Sequence, residues 1–232
     1  MLRELKNYLL FLKDYGYTEI PQQVELKLGA SKKTGKKTSS SSTRNNPALL
    51  QAVQEELGDC TRCKLSEGRN KIVFGSGNPN ADLVFVGEGP GKDEDEQGFP
   101  FVGRAGKKLT EIIEKGMGLN REQDTYICNI VKCRPPGNRD PEADEISACK
   151  PFLLKQLEAI KPKVIVALGK PASSTLLGRT VPITKERGTW HEFEGIKLML
   201  TFHPAYLLRF YTVENRKAVH EDMKKVLEVL KK

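Results

Sequence analysis

No run of apolar residues in this 232-residue chain approaches the roughly 20 that a membrane-spanning helix needs. The N-terminus lacks the basic, apolar and small-residue succession of a secretory signal. No segment repeats at a fixed period, which removes solenoid and propeller architectures. The chain is therefore expected to be a soluble, intracellular protein, cytoplasmic and without a membrane partner. Cysteine is scarce as well, with five residues, and in an intracellular protein so few point to metal or redox chemistry rather than disulfides. Their spacing is informative: Cys60 and Cys63 form a C-x2-C pair, Cys133 and Cys149 follow with 15 residues between them, and Cys128 is left over.

What the chain has in excess is positive charge, with a net +8 and a pI near 9.2. That suits a polyanionic partner, but nine basic against four acidic residues stand before residue 48, leaving only +3 for the remainder. Leu2 to Tyr15 has leucines at helical spacing, and residues 1–28 form a helical extension. Residues 29–46, including KKTGKKTSSSST, have a composition that cannot bury a core and are expected to be a flexible basic linker. A catalytic domain is expected over 47–232.

Four short apolar runs in that domain predict strands: Asp82–Val86, Tyr126–Val131, Lys163–Leu168 and Lys197–Phe202. Helical segments begin near Gly103, Pro141, Lys170 and Val213. The alternation predicts an α/β fold, a three-layer α/β/α sandwich around a central four-stranded, mainly parallel sheet. Each strand runs into a polar loop (GEGPG, KCRPPGNR, GKPASS and HPAYLLR), and in open parallel sheets the site lies beyond the strands' carboxyl ends.

Each loop has a bland reading beside a functional one. Gly87-Glu88-Gly89-Pro90-Gly91 is either a tight strand–helix turn or a backbone brought close to a ligand; its spacing is too short for a phosphate-binding loop. Phe99-Pro100-Phe101 is a hydrophobic staple or a platform for stacking a base. Asn129 caps a strand end or presents a donor and an acceptor to one edge of a base. His203, one of three histidines, is structural or catalytic.

Taken together and in order, GEGPG, PFVGRAG, NIVKCRPPGNR and TFHPAYLLR resemble the family 4 uracil-DNA glycosylases, the iron–sulfur branch of that superfamily. The resemblance runs from about Pro47 to the C-terminus and includes four of the cysteine positions. It implies the superfamily's sandwich fold, and an enzyme that flips uracil out of DNA and hydrolyses its N-glycosidic bond to start base excision repair. It implies that Cys60, Cys63, Cys133 and Cys149 hold a structural [4Fe–4S] cluster, although zinc would accept the same four sulfurs.

The resemblance also assigns roles at the base. Gly87, Gly89, Glu94, Phe101, Asn129 and His203 would bind uracil. Phe101 would stack on it, Asn129 would read its Watson–Crick edge, and Glu94 would bar thymine's methyl group. His203 would stabilise the oxyanion at O2, and Glu88 with Asn138 would serve the attacking water. Tyr206, Leu207 and Leu208 would form an apolar tip that fills the gap in the duplex, with Arg209 on phosphate.

Gly89 stands where alanine is most frequent, and Tyr206 is bulkier than the usual small residue. No inserted basic loop interrupts CRPPGNRDP, so turnover by water rather than a covalent adduct is expected. The expected partners are uracil-containing DNA in the nucleoid and a repair or replication protein met through the N-terminal extension, with the chain itself a monomer. The rival functions are a same-fold glycosylase for another deaminated base and a non-catalytic iron–sulfur or zinc module that binds DNA.

Overall fold

In the computed structural model, which describes residues 2–15 and 46–231, three of the four central strands are buried at every position because both faces of their sheet are covered. The chain opens with α1 (Leu2–Asp14) and, after residues outside the description, α2 (Asn46–Leu57). The short β1 (Ser76–Gly77) precedes β2 (Leu83–Gly87), α3 (Lys92–Gln97) and α4 (Arg104–Glu111). A π-helical turn, Ile112–Met117, prolongs α4 and ends at Gly118, whose φ of 68° suits glycine. Then come α5 (Arg121–Asp124), β3 (Thr125–Asn129), α6 (Ala143–Ile160), β4 (Val164–Leu168) and α7 (Gly169–Leu177). The chain closes with α8 (Ile183–Glu186), β5 (Trp190–Phe193), β6 (Ile196–Thr201), α9 (Pro204–Arg209) and α10 (Val213–Leu230).

Among the described residues six strands form one sheet, in the order β1-β3-β2-β4-β6-β5. The inner four are parallel and are the four read from the sequence; β1 and β5 add antiparallel edges. The expected four-stranded sheet is thus corrected to six. Two residues of β1 carry no periodic pattern, and β5 is exposed or half-buried at three of its four positions, so neither presents the apolar run that marks a strand.

Period-2 alternation divides the strands between two cores. Val84, Val86, Ile165, Ala167, Leu198 and Leu200 face one side, with Leu50, Val53, Leu153, Leu157, Ala172 and Leu176 from α2, α6 and α7. Leu83, Phe85, Val164, Val166, Leu168 and Met199 face the other, against Leu109, Ile113, Val219, Met223 and Val226 from α4, the π-turn and α10. Helices on both faces make three layers, and the parallel order sends the ends of β2, β3, β4 and β6 to one edge. Among the described residues no helix is long and apolar enough to cross a membrane.

The linker predicted at 29–46 lies outside the described residues, apart from Asn46, which opens α2 with its amide donated to Ile160 O at 3.0 Å. The N-terminal helix packs on the π-turn and α10. Phe11, Leu12 and Tyr15 are buried; Phe11 stacks on Tyr15 with ring centroids 4.1 Å apart, and both meet His220 edge-on. Phe11 lies so close to the π-turn that a Cβ on Gly116 would come within 2.8 Å of its ring. Deleting residues 1–15 should lower the thermal midpoint by about 2–4 °C, the shift that roughly 1 kcal/mol produces in a chain of this size. An unchanged midpoint by calorimetry would mean that the docked helix contributes no stability.

Candidate active site

The β2–β3 ladder pairs Gly87 with Asn129 at its last rung and continues beyond it, with Ile130 N donating to Gly87 O at 2.9 Å and Val131 N to Glu88 O at 3.1 Å. This brings the first and second polar loops together. A Cβ on Gly87 would lie 2.4 Å from Asn129 Oδ1 and 2.6 Å from Phe101 Cζ, so glycine is required here by close approach. Asn129 is buried, and its Oδ1 has no hydrogen-bond partner among the described residues. An orphaned buried acceptor costs about 1–3 kcal/mol unless a ligand supplies the donor.

Phe101 enters from the loop between α3 and α4, and its ring centroid lies 5.7 Å from that of His203 at an interplanar angle of 37°. His203 follows β6 and caps α9, with Nδ1 accepting from Ala205 N at 3.1 Å, so the proton resides on Nε2. Burial lowers its pKa to about 4, keeping the imidazole neutral near pH 7. Gly169, at φ 86°, lets the end of β4 pass close behind it: a Cβ there would be 2.8 Å from that of His203. Gly87, Phe101, Asn129 and His203 therefore converge. Gly89 borders Val131 and Pro135.

Glu94 does not present a free carboxylate. Its Oε1 accepts from Val102 N and Gly103 N, both at 2.9 Å, and its Oε2 from Gly91 N at 3.2 Å, which caps the first turn of α3 from its third residue. Both oxygens thus serve backbone amides on either side of the Phe101 loop and shape it. Leu207 is a correction. It is fully buried in the core beneath α9, while Tyr206 and Leu208 are half-buried and Arg209 is exposed. A helix turns about 100° per residue, so three consecutive positions cannot all face outward. The outward surface instead continues through Phe210 and Tyr211, 44% and 52% exposed, with Phe210 4.8 Å from the Tyr206 ring. Sequence reasoning had not included these two aromatics.

Cys60, Cys63, Cys133 and Cys149 line one pocket between α2, the loop after β3 and α6. Cys128 lies apart from them, buried in β3. Polar hydrogens surround the sulfurs: Lys132 N donates to Cys149 Sγ at 3.3 Å, Arg62 to Cys60 Sγ at 3.3 Å and Arg69 to Cys133 Sγ at 3.7 Å. Among the described residues no three histidine, cysteine or acidic side chains are grouped as a single metal ion needs. The pocket is tied to Asn129 by Lys132, whose buried Nζ donates to Asn129 O at 2.7 Å and Gln156 Oε1 at 2.5 Å. Lys132, a cation within an apolar run, is a residue that sequence reasoning passed over.

Glu88 faces a cleft of about 230 Å³ lined also by Asp140, Lys170, Ser174 and Thr175. Its carboxyl partner is Asp140. Asn138, paired with Glu88 in the sequence reading, is exposed at φ 56° and accepts at Oδ1 from Arg134 Nε, 2.7 Å away. Burial, then the charge and hydrogen bond of Asp140, raise the Glu88 pKa to about 8. Glutamate ordinarily ionises near 4.5, so between these values the folded state binds more protons than the unfolded one. Stability then falls as pH rises through that window. Glu88→Gln should flatten this fall in urea midpoints taken from about pH 5 to about pH 9; an equally steep fall in the variant would remove Glu88 as its source.

The sequence of this chain matches the family model described as "Uracil DNA glycosylase superfamily" over residues 74–230. It is 50% identical over 186 residues to the type-4 uracil-DNA glycosylase of Thermotoga maritima, covering 79% of this chain and 96% of that protein. The type-4 uracil-DNA glycosylases of Sulfurisphaera tokodaii and Saccharolobus solfataricus are each 45% identical to it, across 78% of this chain and 84% and 86% of theirs. With a site gathered at the strand ends and relatives matched along nearly their whole length, the chain belongs to the uracil-DNA glycosylase superfamily.

Proposed function

We propose that the protein excises uracil from DNA by hydrolysing its N-glycosidic bond, as the first step of base excision repair on nucleoid DNA in the cytoplasm. The observation that carries this reading is the buried, unpartnered Oδ1 of Asn129 beside the Phe101 ring and the neutral His203. A uracil flipped from the duplex stacks on Phe101 and fills that vacancy in the hydrogen-bonding. Asn129 Oδ1 accepts from N3–H and its amide nitrogen donates to O4. Cytosine reverses both partners and leaves two buried groups unpaired.

As the bond breaks, its electron pair passes to the uracil ring and the sugar becomes cationic. His203 Nε2–H donates to O2 where negative charge gathers, an electrostatic role. Water adds to the anomeric carbon from the Glu88 side, oriented by that carboxyl, and the proton it sheds neutralises the departing uracil anion. Asp140 beside it governs the Glu88 proton, and Asn138, with its carbonyl oxygen taken by Arg134, would reach the water only through its amide nitrogen. Tyr206, Leu208 and Arg209 meet the DNA. A repair or replication partner reached through α1 is left its outward face, where Leu10 is 52% exposed.

The cysteine pocket supports a [4Fe–4S] cluster held by Cys60, Cys63, Cys133 and Cys149. Four cysteine sulfurs lining one hollow are the donor set that such a cluster takes, and zinc would accept the same four. When bound, the cluster braces α2, the loop after β3 and α6, and takes no part in bond cleavage.

Two experiments test these readings. The protein should cleave a uracil-containing oligonucleotide after alkali treatment, and Asn129→Ala should lose about 10- to 100-fold in rate, the equivalent of one or two hydrogen bonds to a buried base. Intact strands at high protein concentration would refute the activity. Purified protein should carry about four iron atoms and matching sulfide per chain, lost in Cys149→Ser; one zinc per chain without iron would overturn the cluster.

A further inference from the structure

The loop that carries Phe101 is held in a conformation its own sequence does not favour. Phe101 has φ 53°, in the left-handed region that side-chain-bearing residues disfavour. Its carbonyl presses so closely on α4 that a Cβ on Gly106 would lie 1.8 Å from the oxygen. The carbonyls of Pro100 and Phe101 belong to no helix or strand, and buried groups of this kind need donors from elsewhere.

One distant side chain supplies them. Arg121, the first residue of α5, donates from Nη1 to Phe101 O at 3.0 Å and from Nη2 to Pro100 O at 2.8 Å. Its Nη1 also reaches Thr110 Oγ1 at 2.7 Å and Gly106 O at 3.4 Å. Glu94 acts on the next two residues, accepting the amides of Val102 and Gly103. A cation thus holds two successive carbonyls and an anion holds the two amides that follow. The planar guanidinium, with five hydrogens in a fixed fork, spans such a set of acceptors; an ammonium, a single point with three donors, does not. Since α5 runs directly into β3, the same guanidinium fastens the loop to the strand that ends in Asn129.

We infer that Arg121 is a positioning residue for base recognition, which together with Glu94 fixes the backbone on both sides of Phe101 and holds its ring as a preformed platform beside Asn129 and His203. The inference rests on the reading of Phe101 as the surface on which uracil stacks.

A double-mutant cycle on the full chain tests it, comparing wild type, Phe101→Ala, Arg121→Ala and the double variant. The readouts are kcat/KM on a uracil oligonucleotide, competitive inhibition by free uracil, and the melting midpoint. Each single variant should weaken both excision and free-uracil binding by about tenfold, the scale of one base–aromatic stack. The double variant should be within about twofold of Phe101→Ala alone, since Arg121 acts through that ring. Arg121→Lys, which keeps the charge and loses the fork, should behave like Arg121→Ala, and it carries the cycle if the alanine variant does not fold. Additive losses of about a hundredfold in the double variant would overturn the inference. So would an Arg121 variant with a lowered midpoint and undiminished uracil binding. Should Phe101→Ala bind and excise as wild type does, the platform reading falls and takes the inference with it; slow Phe101→Ala with additive losses overturns the inference alone.

Discussion

The last rung of the β2–β3 ladder sets Gly87 against Asn129, and the site is built outward from that pair. Backbone bonds from Ile130 and Val131 keep the two chains zipped past the strand ends, so the Asn129 amide is delivered in a fixed place. With no Cβ at Gly87, the Asn129 amide and the edge of the Phe101 ring share a space that any side chain would fill. His203 reaches the same place from β6, two strands away, because Gly169 lets β4 pass close behind it. Two glycines at two strand ends thus allow four separate loops to meet.

Lys132 extends this constraint to the other side of β3. A buried ammonium is tolerated when its hydrogens are used, and here they hold the Asn129 carbonyl and the Gln156 side chain, while burial lowers its pKa. The backbone amide of the same residue donates to Cys149. The carbonyl of Asn129 and a sulfur of the cysteine pocket are therefore fastened to a single residue. A group that fixed the four sulfurs would fix Asn129 as well, which gives the cysteine pocket a mechanical consequence for the strand ends without any electron transfer.

Much of the architecture was legible because the parallel strands are buried on both faces and read as continuous apolar runs. The helices at 104, 143, 169 and 213 begin within two residues of where loop chemistry suggested. The edge strands were invisible: two residues and one mostly exposed strand have no pattern to show. At the site, glycine spacing and the placement of Asn129 and His203 at strand ends were visible, as was the C-x2-C pair. What stayed hidden depends on contacts made across the fold. Glu94 and Arg121 act on backbone groups, which leave no trace in residue type, and Asp140 meets Glu88 only after the loop beyond β3 has turned. Leu207 was misplaced because a motif read as a string was taken as a surface, whereas a helix distributes adjacent residues around its axis.

The unpartnered oxygen of Asn129 has a consequence after the reaction as well as before it. The features that would draw a uracil in do not distinguish a base attached to a sugar from one that has been cut free. A base bound as proposed would leave that oxygen without its donor again on departing, so the contact that favours entry would equally oppose release. Such a pocket would hold its own product.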